Sequence, residues 1–161
     1  MFAVTSAEGM TEAVKLYRGD DYNIIMLKIL ADRLAEGFAE VLHETVRKDL
    51  WGYSPDEQLT NEDIIACRYR GIRPAPGYPA CPDHTDKAAI WQLTDAQART
   101  GISLTESFMM LPAASVCGFY FSHPVATYFP IGRIDHEQLC DYAQRKNWTI
   151  EEAQKWLAPL I

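Results

Sequence analysis

The chain has 161 residues, of which 48% are hydrophobic and 23% charged, as in an ordinary soluble globular domain. Its net charge is −7 and its basic residues do not cluster, which argues against a nucleic-acid-binding surface. The sequence shows no signal-peptide pattern and no apolar run of membrane-spanning length, and its four cysteines lack a CxxC pair, which favours reduced thiols in a cytoplasmic protein.

The first predicted element is a long helix that begins at Asp20 or Asp21, either of which can cap it, and ends near Leu50. Residues 1–19 before it show no clear pattern. His43, on this helix, is expected to be solvated. Apolar residues recur along the helix at helical spacing, namely Ile25, Ile29, Leu34, Phe38, Val41, Leu42 and Val46.

Thr60 can cap a short helix over residues 61–68, and a proline-rich segment, the proline loop (residues 70–84), follows it. Its prolines are Pro74, Pro76, Pro79 and Pro82. Because proline has no N–H group and a fixed φ, the segment is predicted to be an ordered, extended loop. Arg73 on such a loop can hold a carboxylate with its planar fork, and Tyr78 adds an aromatic face. The alternative is a rigid connector that carries one solvated arginine.

The rest of the chain mixes helix and strand signals. Asp83 or Thr85 can cap a helix that ends before Gly101. Short strands are predicted over residues 107–111, 115–121 and 128–133. Two closing helices begin at capping boxes, formed by Asp135 with Gln138 and by Thr149 with Glu152. This order of elements predicts the α+β class.

Most familiar catalytic motifs are absent. The sequence has no GxGxxG, GxxxxGK[ST] or GxSxG motif, which argues against phosphate-cradling nucleotide folds and against a serine hydrolase. Cys81 and His84 have C-x-x-H spacing, but no second ligand pair follows them. The sequence therefore predicts neither a catalytic side chain nor a metal site.

Long runs of the sequence match one known family. These runs are residues 21–23, 30–36, 51–53, 70–85, 104–108, 114–116, 118–124 and 156–159. Together they closely resemble the C-terminal reactivation domain of cobalamin-dependent methionine synthase, and they cover nearly the whole chain.

The resemblance implies an α+β domain with a curved antiparallel sheet that binds S-adenosylmethionine. Such a domain docks over the cobalamin of a partner domain and, with an electron from a flavodoxin-type reductant, supports remethylation of cob(II)alamin in methionine biosynthesis. The chain would then be part of a methyltransferase, the 5-methyltetrahydrofolate–homocysteine methyltransferase, without being catalytically complete alone.

The ligand-contacting positions of the family fall on Arg73, Ala75, Gly77, Tyr78, Tyr128 and Phe129. The second aromatic residue is more often tyrosine in the family, and an acidic residue of some relatives falls on Cys67. Alternation along the predicted strand places the Tyr128 ring in the ligand groove, while Phe129 is expected to pack into the sheet or to contribute through its backbone. Glu36 is a candidate partner for the sulfonium cation of the ligand, with a solvated helix face as the alternative.

The resemblance also implies that residues 1–161 are the C-terminal portion of this domain. The N-terminal half, which supplies a ligand-contacting aspartate in the family, would be absent, whether the chain is a fragment, a split-enzyme subunit or a stand-alone protein. Faces left uncovered would then be apolar and favour self-association. The alternative function is a non-catalytic docking module for a corrinoid protein or its reductase.

Overall fold

The computed structural model describes residues 1–161 and contains seven α-helices and four short β-strands. In chain order they are β1 (Phe2–Thr5), α1 (Met10–Leu16), α2 (Asp21–Thr45), α3 (Asn61–Ile65), α4 (Lys87–Thr94), α5 (Ala96–Thr100), β2 (Ser103–Leu104), β3 (Met110–Leu111), β4 (Ser115–Gly118), α6 (His136–Lys146) and α7 (Ile150–Leu157). The predicted α+β class, with a long early helix and two closing helices, is confirmed.

Helix α2 is the long helix that the sequence predicts, and one turn of π-helix (Val46–Leu50) extends it. The Asp20 side chain caps its first turn by accepting a hydrogen bond from the Asn23 N–H group. A row of small residues at four-residue spacing forms its buried face, namely Ala31, Ala35 and Ala39. His43 continues this row and is fully buried, so the expectation that it is solvated is wrong.

Helix α2 also carries large apolar side chains that are exposed. These residues, the α2 stripe, are Tyr22, Ile25, Ile29, Leu30, Leu34, Phe38 and Val41, each at least 45% exposed. Most of the apolar spacing in the sequence therefore belongs to a face that solvent reaches, while the face toward the strands is made of alanines. Several large apolar side chains exposed together on one helix are typical of an interaction site.

We expect the chain to self-associate through the α2 stripe, because association removes these side chains from water. Light scattering over a concentration series should give a mass that rises above the 18.2 kDa monomer. A Leu34→Glu/Phe38→Glu double variant should remain monomeric with an unchanged melting temperature, since both side chains are exposed in the monomer. A wild-type chain that stays monomeric throughout the series would contradict this.

The strands form two separate antiparallel pairs rather than one sheet. β1 pairs with β4, in a register that places Phe2 opposite Gly118 and Thr5 opposite Ser115, and β2 pairs with β3. β1 lies within residues 1–19, where the sequence shows no pattern. A four-residue strand whose partner is more than a hundred residues away carries little local signal.

The strands predicted in the second half of the chain are shorter than expected. The strand expected over residues 107–111 is limited to β3, and the one over residues 115–121 ends at Gly118. The strand expected over residues 128–133 does not form. Pro130 interrupts that segment and lacks the N–H group that a strand ladder requires.

The proline loop is ordered, as predicted, and is fastened alongside β4. Phe119 donates its N–H group to the Pro74 carbonyl at 3.0 Å, and Ile72 and Phe121 exchange two backbone hydrogen bonds of 2.9 Å. A Cβ atom at Gly118 would lie 2.8 Å from the Pro74 oxygen, so glycine permits this close approach. These contacts hold the loop against the end of β4 and the residues that follow it.

The caps predicted for α3, α6 and α7 are present, whereas Asp83 caps a 3-10 turn (His84–Asp86) that precedes α4. Thr60 with Asp63, and Asp135 with Gln138, form reciprocal capping boxes, while the Thr149 side chain accepts a hydrogen bond from the Glu152 N–H group. These caps fix the starts of α3, α6 and α7.

Asp83 ties the end of the proline loop to the closing helices. Its buried carboxylate accepts hydrogen bonds from Thr85 and from the Tyr142 hydroxyl at 2.6 Å, and it pairs with Lys146 at 2.8 Å. Burial disfavours this charge, but these donors outweigh burial and lower the pKa of Asp83.

None of the helices combines the length and the apolar character needed to cross a bilayer.

Candidate ligand-binding groove

A groove of about 540 Å³ runs between the proline loop, β4, helix α2 and residues 128–130. Its size is within the range of small-molecule sites. Five of the six predicted site residues line it, namely Arg73, Ala75, Tyr78, Tyr128 and Phe129, and Glu36 lines it as well. The groove thus combines one guanidinium, one carboxylate and several aromatic rings within mostly apolar walls.

Gly77, the sixth predicted residue, lies in the turn that supports the groove and is not part of its wall. Its φ is +98°, and a Cβ atom there would lie 2.2 Å from the His84 ring. Both the backbone conformation and the contact therefore require glycine. The turn closes with a 2.7 Å hydrogen bond from the Gly77 N–H group to the Cys81 carbonyl, and it leaves Tyr78 exposed at the rim.

Arg73 is bound by the protein at both its backbone and its side chain. The backbone N–H group donates to the Tyr128 hydroxyl at 2.9 Å. Both terminal nitrogens of the guanidinium, Nη1 and Nη2, donate to the Glu40 carboxylate, and Nη1 also lies 3.1 Å from His43 Nδ1 and from the Tyr69 hydroxyl. The sequence predicts a guanidinium that can hold a carboxylate, with a solvated arginine as the alternative, and the structure shows one that already pairs with Glu40 and is mostly buried.

His43 is held in its neutral form by its surroundings. Burial lowers its pKa to about 3, and the positive charges of Arg47 and Arg73 act in the same direction. Neutral Nδ1 therefore accepts the hydrogen bond from Arg73. The proton then lies on Nε2, which donates to the Tyr53 hydroxyl at 3.3 Å.

A second buried arginine, Arg47, contacts one of the residues that bind Arg73. Arg47 is 1% exposed and forms a two-pronged ion pair with Glu57 at 2.7–2.9 Å. Its guanidinium lies 4.5 Å from the centre of the Tyr69 ring, which is a cation–π contact. Tyr69 in turn accepts a hydrogen bond from Arg73. Glu57, Arg47, Tyr69 and Arg73 are therefore joined in one continuous set of contacts.

Cys67 contacts this set at its edge. Its sulfur accepts a weak hydrogen bond from the Tyr69 hydroxyl at 3.5 Å, and it does not line the groove. Its connection to the groove is indirect and runs through Tyr69, which accepts a hydrogen bond from Arg73.

Tyr128 and Phe129 both lie in irregular backbone, and both line the groove. Phe129 is 61% exposed, so the expectation that it packs into the sheet is wrong. Without a strand there is no alternation of side chains between two faces, and both rings are available to a ligand.

Sequence reasoning missed the partners of Arg73. Glu40 and His43 follow Glu36 at spacings of four and three residues, which places them on one face of α2, and Arg47 continues the row in the π-helical turn. That polar row is the signal that could have identified them. Phe2, another wall residue, was missed along with β1.

Comparisons with known proteins agree on one family. The family model described as the activation domain of vitamin B12-dependent methionine synthase matches residues 1–147. Among solved structures, the crystal structure of the MetH reactivation domain bound to AdoHcy is similar to this chain, with 53% sequence identity and a TM-score of 0.94 over 99% of this chain. The chain spans 50% of the length of that protein.

Proposed function

The chain belongs to the family of activation domains of vitamin B12-dependent methionine synthase, and on this basis we propose that its groove binds S-adenosylmethionine for the reductive remethylation of cob(II)alamin. The observation that carries the proposal is the convergence of Arg73, Glu36 and three exposed aromatic rings in one groove. The similar MetH domain is bound to AdoHcy, which is the demethylated form of S-adenosylmethionine.

Each part of the ligand has a chemically suitable partner in the groove. The carboxylate suits the guanidinium of Arg73. The adenine ring suits the faces of Tyr78, Tyr128 or Phe129, and the backbone of Ala75 offers polar groups for its edge. The sulfonium cation suits an aromatic face or the Glu36 carboxylate.

The task of these residues is to position the ligand. S-adenosylmethionine supplies an already activated methyl group when it is bound, so no side chain needs to act as a general base. Holding the donor at a fixed place and orientation is itself a large catalytic contribution. The groove residues accordingly have binding roles, and none is assigned a catalytic role.

The proposed function implies partners for the reaction. The cobalamin would be held by the cobalamin-binding domain of methionine synthase, and a flavodoxin-type reductant would supply the electron in the cytoplasm. This chain would contribute the methyl-donor site and would not complete the methyltransferase reaction alone.

Isothermal titration calorimetry with S-adenosylmethionine and with AdoHcy tests the proposal. We expect saturable binding of both ligands at one site. Because the chain spans half of the matched MetH protein, the titration should be repeated with the remaining half of that domain added. No binding in either format would refute the proposal.

The alternative function, a docking module that binds no methyl donor, draws support from the exposed α2 stripe. A pull-down with a cobalamin-binding domain separates the two. Capture that is insensitive to S-adenosylmethionine, together with a silent titration, would favour docking.

Phe129→Ala should weaken AdoHcy binding by about 0.5–1.5 kcal/mol, the usual size of an aromatic contact. The free energy of unfolding should stay unchanged, because this ring is exposed and supports no core. Phe121→Ala is the matched control: Phe121 is 51% exposed but outside the groove. Equal effects of both variants on affinity would remove Phe129 from the site.

A further inference from the structure

Arg73 lines the groove, and the protein itself occupies one edge of its guanidinium. A guanidinium has an end edge, formed by Nη1 and Nη2, and a side edge, formed by Nε and Nη2, and either edge can hold a carboxylate with two parallel hydrogen bonds. Glu40 accepts from both Nη1 and Nη2, which occupies the end edge. His43 and Tyr69 take the remaining direction at Nη1. The side edge has no partner in the protein.

We propose that Glu40 is a positioning residue, which holds the guanidinium so that its side edge receives the carboxylate of the ligand. This inference rests on the proposed function. Arginine has a long and flexible side chain, and Arg73 is attached to a loop, whereas Glu40 is on the rigid helix α2. The ion pair between them fixes the orientation of the fork before any ligand arrives.

The sign of the affinity change on removing Glu40 distinguishes this role from simple competition with the ligand for Arg73. Glu40 carries the same charge as the ligand carboxylate, so a competitor or a purely electrostatic neighbour would weaken ligand binding. Its removal would then improve affinity. A positioning residue has the opposite signature, because its removal frees the fork to turn away from the ligand.

The test is Glu40→Gln, titrated with two ligands that differ in the carboxylate. AdoHcy carries the amino-acid group, and methylthioadenosine lacks it. We expect AdoHcy to bind about tenfold more weakly, the size of one charge-assisted contact. Methylthioadenosine should bind within about twofold of wild type, since no carboxylate is involved. A structural defect would reduce both affinities together.

Two further variants separate geometry from charge and from helix effects. Glu40→Asp keeps the charge but shortens the side chain, so it should behave like Glu40→Gln if orientation matters. Glu44→Gln makes the same change one turn later in α2, where the side chain pairs with Lys48 at 3.3 Å outside the groove. It should leave both affinities unchanged.

Circular dichroism should first confirm that every variant is folded, and each titration result then supports or overturns the role of Glu40. Unchanged or tighter AdoHcy binding in Glu40→Gln would overturn the inference, as would equal losses for both ligands. If Glu40→Gln does not fold, Glu40→Asp decides by the same two titrations. A wild-type chain that binds neither ligand, alone or with the remaining half of the domain added, would overturn the proposed function itself, and this inference with it.

Discussion

Replacing Arg73 with alanine should weaken binding of S-adenosylmethionine by about 1.5–3 kcal/mol, the value of a charge-assisted contact. Arg73 is the only basic residue that lines the groove, so no neighbour can take over the carboxylate. The same change should also lower the free energy of unfolding, because it leaves Glu40 and His43 without their shared donor.

Calorimetry measures the first effect and urea denaturation the second. Arg73→Lys should recover only part of the affinity, because an ammonium group cannot replace the planar fork. Arg133→Ala removes the same charge from an exposed position outside the groove, and both measurements should stay at wild-type values. Wild-type affinity in Arg73→Ala would show that the carboxylate is held elsewhere.

Replacing Glu57 with alanine should lower the free energy of unfolding by about 3–5 kcal/mol, because it leaves a buried charge unpaired. Arg47 is 1% exposed, and Glu57 supplies all three of its hydrogen bonds. Its remaining nitrogen, Nη1, already has no partner. Loss of Glu57 therefore leaves the guanidinium of Arg47 buried, charged and without a partner.

Glu12→Ala is the control for this effect. Glu12 also forms an ion pair, with Lys15 at 2.6 Å, but both side chains are mostly exposed, so the change should cost less than about 1 kcal/mol. An Arg47→Met/Glu57→Ala double variant should recover most of the lost stability, since it removes the stranded charge. Equal losses for Glu12→Ala and Glu57→Ala would contradict the argument.

Features that depend on neighbouring residues could be predicted from the sequence. The cap of α2, the boxes at Thr60 and Asp135, and the ordered proline loop all follow from groups a few residues apart. β1 could not be predicted, because its pairing with β4 depends on a segment more than a hundred residues away. His43 was misplaced because the buried face of α2 is built from alanines, which add little to an apolar pattern.

The same contrast between local and long-range features applies to the groove. The chemistry of Arg73 and Tyr78 is visible in the loop itself, and both side chains line the groove. The partners that define Arg73 come from α2, thirty or more residues earlier in the chain. Only the packing of the helix against the loop brings them together, and no local pattern encodes that.

The proline loop has a consequence for the thermodynamics of any ligand that binds beside it. Its prolines restrict the backbone already in the unfolded chain, and its hydrogen bonds to the strand beside it remove most of the remaining freedom during folding. A ligand then meets a wall with little conformational entropy left to lose. The entropy cost of ordering this wall is therefore largely met during folding, before the ligand binds. A substitution that makes the loop more flexible would therefore weaken ligand binding, even where it changes no atom that contacts the ligand.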